Sequence, residues 1–193
     1  MEIVKGVYDR RLQTAMYKGL HEASPSLGLL WLVGCSTGYR VSDLLLLRVS
    51  DTFSGTLHVV ETKTGKLRIM RLPKRVYEAI NDQIQRLGLE RGDYLFFGKT
   101  RDAPITRQHA HRVMRSVGLT LGLESIGTHS MRKTYAYNVL LATKSFDRVK
   151  MSLNHAYLST TILYLIDGLT ALLPKSGRLG IPPSSVVATA LPG

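Results

Sequence analysis

The stretch from Thr128 to Tyr164 reads THSMRKTYAYNVLLATKSFDRVKMSLNHAYLSTTILY, and it decides how the rest of the chain is interpreted. His129 and Arg132 are three residues apart, which places them on one face of a helix. His155 follows in a Leu-Asn-His phrase, and Tyr164 comes nine residues later. A tyrosine can act as a nucleophile, an arginine can hold two phosphate oxygens, and a histidine can move protons. Together these side chains can attack a phosphodiester without a metal ion.

Each of these residues also has an ordinary structural explanation. The chain contains 9 tyrosines and 6 histidines, and most such side chains in proteins pack or hydrogen-bond without taking part in catalysis. The order of the motifs within one basic chain favours the functional interpretation.

Length and composition predict the class of protein. With 193 residues the chain is long enough for one domain with a proper core, and 26 Lys and Arg against 14 Asp and Glu give a net charge of +12. This charge favours nucleic acid as the partner. The alternative is that this protein is soluble and basic without having a polyanionic partner. We found no bilayer-spanning apolar run and no secretory signal, and the single Cys35 excludes an internal disulfide. We therefore expect a cytoplasmic protein without membrane contact.

The periodicity of apolar residues predicts a mainly α-helical α+β domain with one small antiparallel sheet. The predicted helices span residues 9–23, 27–33, 41–47, 74–87, 106–117, 129–142 and 146–153, and a short one leads to residue 164. Gly34 is expected to end the second helix, and Gly118 to follow the fifth. Two strands, 56–62 and 67–72, flank the turn Lys63-Thr64-Gly65-Lys66.

The predicted domain covers residues 1–173. Residues 174–193 are rich in Pro, Gly and Ser and are expected to form a flexible C-terminal tail. The apolar residues of segment 165–173 recur at helical spacing, but the segment is too short to be a stable helix alone. We therefore expect it to dock on an apolar surface.

Five motifs, in register, resemble the catalytic domain of the tyrosine recombinases, the phage-integrase family. The resemblance covers roughly residues 9–173. The motifs are TGYRVSD at 37–43 for the first arginine box T-G-x-R-x-S-E, Lys63 for the hairpin lysine, HSMR at 129–132 for H-x-x-R, LNH at 153–155 for L-G-H, and Tyr164 for the nucleophile.

Three residues depart mildly from the family pattern. Asp43 replaces the usual Glu, Lys133 stands where many members have His, and Asn154 replaces Gly. Family members usually also carry a separate N-terminal core-binding domain that closes a clamp around DNA. Too few residues precede Asp9 to form it, so we expect this domain to be absent from the sequence.

The resemblance implies a role for the nucleophile and the two arginines. Tyr164 would attack the scissile phosphate and give a 3′-phosphotyrosine and a free 5′-hydroxyl. Arg40 and Arg132 would hold the non-bridging oxygens and stabilise the charge that develops on them. Because the bond energy stays in the protein–DNA link, rejoining would need no ATP.

The same resemblance implies three residues that move protons or donate hydrogen bonds. Lys63 would protonate the leaving 5′-oxygen, although Lys66 in the same turn is an alternative. His129 would act as general base toward Tyr164, and His155 would donate to a phosphate oxygen.

The family resemblance implies a site-specific recombinase or integrase that acts on double-stranded DNA without metal or cofactor. It would form a tetramer at the DNA synapse and be encoded by a bacterium or phage; our own hypothesis is that the chain is a monomer in free solution. A catalytically idle DNA-binding module and a type IB topoisomerase-like nicking and relaxing enzyme are the alternatives. His109 and His111 are two residues apart and point away from each other on a helix, so a metal pair is not expected.

Overall fold

The computed structural model describes residues 4–172, and for residues 171 and 172 the backbone alone. Its helices are α1 (Arg10–Ala23), α2 (Pro25–Thr37), α3 (Val41–Leu45), α4 (Lys74–Leu87), α5 (Arg107–Thr120), α6 (Thr128–Thr143), α7 (Phe146–Leu153) and α8 (Leu158–Leu172). Strands β1 (Thr52–Phe53), β2 (Thr56–Val60) and β3 (Leu67–Arg71) form an antiparallel sheet in the order β1-β2-β3. The predicted α+β fold is confirmed. The predicted tail, residues 174–193, lies outside the described residues.

Helix α2 is the central helix of the larger core. It is apolar on all sides and packs against α1, α4 and α6. The prediction that Gly34 ends it is wrong, because the helix continues to Thr37 and ends at Gly38, whose φ of 65° is left-handed. Gly34 instead makes room for α6, since a Cβ there would lie 2.5 Å from the Met131 sulfur.

Two other predicted helix ends are also wrong. Helix α5 continues through Gly118 to Thr120, because this glycine lets Ile126 pack closely rather than ending the helix. Helix α8 continues through Tyr164 to Leu172, so the proposed nucleophile lies in the middle of a helix and not at its end.

The sheet turns one charged residue toward the interior. In the β2–β3 register, Val59 lies opposite Arg68, and Val60 lies opposite Leu67. Residues directly opposite in an antiparallel pair share a face of the sheet. Because Val59 is buried while Val60 and Leu67 are exposed, Arg68 lies on the inner face.

A second, smaller hydrophobic cluster joins the last three helices. Its buried residues come from α6, α7 and α8, and they are Ala136, Tyr137, Leu140, Val149, Leu153 and Leu165. The described part of the segment after Tyr164 thus docks on an apolar surface, as expected, and this surface belongs to its own chain. Among residues 4–172 we found no helix long and apolar enough to cross a membrane.

Candidate active site

Arg40 lies at the N-terminus of α3, beside two buried carboxylates. Its Nη1 is 3.3 Å from Glu61 Oε1 and 3.9 Å from Asp43 Oδ2. Asp43 in turn accepts hydrogen bonds from the Thr62 amide at 3.0 Å and the Thr62 hydroxyl at 2.7 Å. The arginine box is therefore joined to the end of the hairpin strand. The Arg40 side chain is 22% exposed, so part of it remains accessible to a ligand.

Glu61 connects several parts of the site. Its side chain is fully buried and accepts hydrogen bonds from Asn154 Nδ2 at 2.9 Å and from the Thr64 hydroxyl at 3.1 Å. Its Oε1 also lies 3.3 Å from Arg40 and 3.8 Å from Arg68. Burial raises the pKa of Glu61, but these hydrogen bonds and cations outweigh it and hold the pKa below its usual value. Glu61 is therefore an anion that holds Arg40 in place.

The structure shows why asparagine can stand at position 154, where the resembling family has glycine. It ends α7 with a φ of 54°, in the left-handed region that asparagine tolerates better than most residues. The asparagine side chain also supplies the amide that binds Glu61. The substitution therefore keeps the turn that places His155 and adds a link to the hairpin.

Arg132 joins three sequence motifs of the site. It is 4% exposed, and it donates from Nη1 to the Gly38 carbonyl at 2.5 Å and from Nη2 to the Leu153 carbonyl at 2.6 Å. Gly38 is required here, because its φ is left-handed and a Cβ would lie 2.2 Å from the Tyr135 ring. The first arginine box, the H-x-x-R motif and the L-N-H motif therefore meet at one guanidinium.

Tyr164 points its hydroxyl into the site. The oxygen is buried and forms no well-aligned hydrogen bond with any described residue. Burial raises the pKa of Tyr164, while the positive charges of Arg132 and Arg40 oppose this effect. The His155 ring packs edge-on against the Tyr164 ring, with centroids 5.5 Å apart. The phenol thus lies beside an imidazole and under the influence of two guanidinium groups.

His155 is electrically neutral at physiological pH. Burial lowers its pKa to about 4, and the charges of Arg132, Arg40 and Lys63 act in the same direction. Its Nδ1 lies 3.0 Å from the Thr161 hydroxyl. When that hydroxyl donates to Nδ1, the ring proton is on Nε2 and is available to a phosphate oxygen.

Lys63 is exposed on the turn between β2 and β3, as is Lys66. The charge of Lys63 is one of those that lower the pKa of His155, so this side chain acts on the site electrostatically. The Glu61 carbonyl closes the turn by accepting from the amides of Thr64 at 3.1 Å and Gly65 at 2.8 Å. The same residue that fixes Arg40 therefore also anchors the hairpin.

His129 lies at the edge of the site, in the first turn of α6. Its Nε2 is 3.4 Å from Arg107 Nη2, and no hydrogen bond joins it to Tyr164 among the described residues. Burial lowers the pKa of His129, and the charges of Arg107 and Arg132 add to the effect. It faces a cavity of about 460 Å³ that Arg107 and His111 also line. Five of the six predicted residues, Tyr164 among them, are thus linked by contacts or charge. The sixth, His129, lies at the edge of the site, where the charges of Arg40 and Arg132 lower its pKa.

Sequence reasoning missed Glu61 and Arg68. Arg68 donates from Nη2 to the carbonyls of Thr37 at 3.3 Å and Ser152 at 2.5 Å, and it stacks over the Tyr39 ring. Strand alternation carries the signal that could have found both. Glu61 is in phase with buried Val59, and Arg68 is out of phase with exposed Leu67.

The candidate metal ligands remain apart. Within residues 4–172 no group of three His, Cys, Asp or Glu side chains could hold a metal ion. His109 contacts Arg112 at 3.1 Å, and His111 lines the cavity beside His129. The two histidines therefore have different neighbours.

Comparison with known structures shows the same fold. The crystal structure of XerA recombinase matches with a TM-score of 0.70 and 22% identity over 90% of this chain and 67% of that chain. A lambda integrase dimer bound to a COC′ core site matches with a TM-score of 0.70 and 20% identity over 87% of this chain and 50% of that chain.

Sequence comparison identifies the family. The probable integrase/recombinase YoeC of Bacillus subtilis (strain 168) is 33% identical over 141 residues, which are 70% of this chain and 75% of YoeC. The tyrosine recombinase XerC of Herpetosiphon aurantiacus is 30% identical over 67% of this chain, but only 44% of XerC is covered. The family model described as "Phage integrase family" matches residues 10–167. The chain therefore belongs to the phage integrase family.

Proposed function

We propose that this domain is the catalytic domain of a site-specific DNA recombinase that breaks and rejoins DNA through a 3′-phosphotyrosine intermediate. One observation carries the proposal: the buried Tyr164 hydroxyl lies beside His155 and under the charge of Arg132 and Arg40. A hydroxyl kept out of water next to two guanidinium groups suits in-line attack on a bound phosphate. A domain kept only for binding DNA has no need of this arrangement.

The two arginines would bind the scissile phosphate. Arg132 uses one N–H of each terminal nitrogen on the carbonyls of Gly38 and Leu153. A guanidinium has five N–H donors, so others remain for a phosphate oxygen. Arg40 is held by Glu61. Because both guanidinium groups are fixed before DNA arrives, they would stabilise developing negative charge without reorganising.

The remaining residues would move protons or donate hydrogen bonds. Neutral His155 would donate from Nε2 to a phosphate oxygen, and Lys63 would protonate the leaving 5′-oxygen from its exposed hairpin. Because burial raises the pKa of Tyr164, the phenol needs a base, and His129 is our candidate. Catalytic hydrogen bonds are often formed only in the substrate complex, so the absence of a His129–Tyr164 bond without DNA is compatible with this role.

We propose double-stranded DNA as the substrate and tetrameric self-association on it, with a monomer in free solution. The net charge of +12 supports a polyanionic partner. Solved relatives include XerH bound to a difH substrate and a lambda integrase tetramer bound to a Holliday junction. The chain spans less than half the length of the XerC relatives it matches, such as the one of Herpetosiphon aurantiacus, of which it covers 44%. The proposed setting is the cytoplasm of a bacterium.

A nicked suicide duplex, which loses its leaving strand after cleavage, tests the function by trapping the covalent protein–DNA adduct. The intact chain should form the adduct, and Tyr164→Phe should abolish it while DNA binding remains, because only one hydroxyl is lost. Tyr157→Phe is the matched control, since Tyr157 is 72% exposed and seven residues away. An unchanged adduct yield in Tyr164→Phe would refute the assignment. No adduct with the intact chain would favour an idle binding module, and relaxation of supercoiled DNA without a partner site would favour the topoisomerase-like alternative.

A further inference from the structure

The helix that carries Tyr164 does not define its own orientation by amphipathicity. Helix α8 reads LSTTILYLIDGLTAL, and its single charged residue is Asp167. Leu165 is buried, yet Ile162 and Leu163 are exposed at 36% and 65%. Because apolar residues lie on more than one side of α8, the helix can bury more than one of its faces at similar gain. Hydrophobic burial alone therefore specifies the rotation of α8 only weakly.

Asp167 supplies the missing directional contact. Its Oδ2 lies 2.6 Å from the Nζ of Lys133 on α6, and the two side chains are 18% and 12% exposed. Asp167 follows Tyr164 by three residues and so lies on the same side of α8, while Lys133 directly follows Arg132. The Lys133 ammonium is also 5.6 Å from the Tyr164 ring centroid, within cation–π range. The ion pair thus joins α6 and α8 next to Tyr164, the proposed nucleophile, and close in sequence to Arg132, which would bind the phosphate.

Close packing around Gly168 supports the same placement. A Cβ on this residue would lie 2.7 Å from the Tyr137 ring and 3.0 Å from the Tyr8 ring. The absent side chain therefore lets α8 approach α6 and the segment that precedes α1. Two neighbouring positions, Asp167 and Gly168, carry the polar contact and the steric room that select one face of the helix.

We propose that Lys133 and Asp167 are a positioning pair, which fixes the rotation of α8 and thereby directs the Tyr164 hydroxyl toward Arg132. The inference rests on the proposed function, because it takes Tyr164 as the nucleophile. Rotation of α8 would separate two largely buried opposite charges, and a buried charge without its partner is strongly unfavourable. Specifying one arrangement among several apolar ones is the best-attested use of such a polar contact. Many family members have His at the position of Lys133. In this chain, Lys133 positions α8 together with Asp167.

The test compares Asp167→Asn with the intact chain on a saturating nicked suicide duplex. The rate of adduct formation should fall roughly tenfold, equivalent to about 1.4 kcal/mol, while non-covalent DNA affinity does not weaken. Glu78→Gln is the matched control, since it also removes one negative charge and breaks a Lys–carboxylate pair, the exposed Lys74–Glu78 pair on α4. Its rate should stay at the value of the intact chain.

A double variant, Lys133→Met with Asp167→Leu, separates positioning from direct chemistry and guards against a folding defect in the single variant. Apolar residues that replace a buried ion pair often preserve stability, so α8 should stay docked and much of the rate should return. Amide hydrogen exchange in α8, but not in α2, should rise in Asp167→Asn alone. A double variant as slow as Asp167→Asn, or an unchanged rate in Asp167→Asn, would overturn the proposal while leaving the proposed function intact. Failure of the intact chain to form an adduct would instead overturn the proposed function.

Discussion

The two hydrophobic clusters of this domain support different parts of the site. The larger one lies under α1 to α5 and the sheet, and it includes Leu30, Trp31 and Leu44, which are almost fully buried. The smaller one joins α6, α7 and α8 and, in the part of the chain that the structure describes, has six buried residues. Arg40 and Glu61 belong to elements packed on the larger cluster, whereas Tyr164 packs on the smaller one.

In the proposed mechanism, this difference separates phosphate binding from attack. The larger cluster would hold Arg40 in place, because many buried side chains and the Glu61 network support it. The smaller cluster has less apolar area to fix the nucleophile helix, and it relies on Leu165 and on the Lys133–Asp167 ion pair. Changes in the smaller cluster should therefore lower cleavage more than binding.

Among the residues around Tyr164, the largest expected effect comes from Arg132, which joins the two clusters. Arg132→Ala should slow cleavage by at least on the order of 10²–10³, as expected for loss of one preorganised charge-stabilising donor. Lysine should rescue poorly, because it cannot make two parallel hydrogen bonds to a phosphate. Single-turnover cleavage of the suicide duplex measures both variants, and a normal rate in Arg132→Lys would contradict the assignment.

A smaller loss is expected from Glu61→Gln, which alters the support of Arg40 without touching the proposed substrate contacts. The amide keeps the shape of the side chain but removes the charge that faces Arg40 and Arg68. Cleavage should fall on the order of tenfold, since a misplacement of about 1 Å can cost up to 10²-fold. Thermal unfolding should be measured alongside. If Glu61→Gln cleaves as fast as the intact chain, Glu61 does not position Arg40.

Two alanine variants, Leu165→Ala in the smaller cluster and Leu30→Ala in the larger one, compare the two clusters directly. Each leaves a cavity in one cluster and should cost about 2–5 kcal/mol of unfolding free energy. At a temperature where both variants are folded, we expect Leu165→Ala to cleave several times more slowly than Leu30→Ala at equal DNA occupancy. Equal cleavage rates would mean that the smaller cluster does not position Tyr164 independently.

The smallest expected effect is a pH dependence of stability through His155. Its pKa is about 4 in the folded chain, against an ordinary 6.5 in the unfolded chain. Between these values the unfolded chain binds more protons, so stability falls as pH falls from 6.5 toward 4. In His155→Asn the melting temperature should therefore fall less between pH 7 and pH 5. The difference should be about 2–4 °C for each kcal/mol of stability that no longer depends on pH. His21→Asn, on the exposed face of α1, is the control and should retain the full drop.

The sequence predicted most of the fold because its helices carry clear caps and periodic apolar residues. Asp9 caps α1, Thr106 caps α5, and Gly88 ends α4, as the local pattern indicates. The wrong ends at Gly34 and Gly118 share a cause. Both glycines sit where another element approaches the helix, and a long-range contact cannot be read from local sequence.

The sequence motifs include the candidate site residues but not the residues that support them. Arg40, Arg132 and Tyr164 are motif residues, and the fold brings them together. Glu61 and Asp167 were missed because their partners, Asn154 and Lys133, are 93 and 34 residues away in the chain. Such pairings depend on the tertiary fold: strand alternation could have shown that Glu61 faces the interior, but not which residue it binds.

Identifying the tyrosine that carries DNA tests the central claim most directly. After trapping on the suicide duplex and nuclease digestion, trypsin should release the peptide 151–175, which contains both Tyr157 and Tyr164. Fragmentation in the mass spectrometer then locates the residual nucleotide on one of the two phenols. Our account predicts the nucleotide on Tyr164, the buried phenol beside His155 and Arg132. A nucleotide on Tyr157, or on any residue outside this peptide, would contradict it.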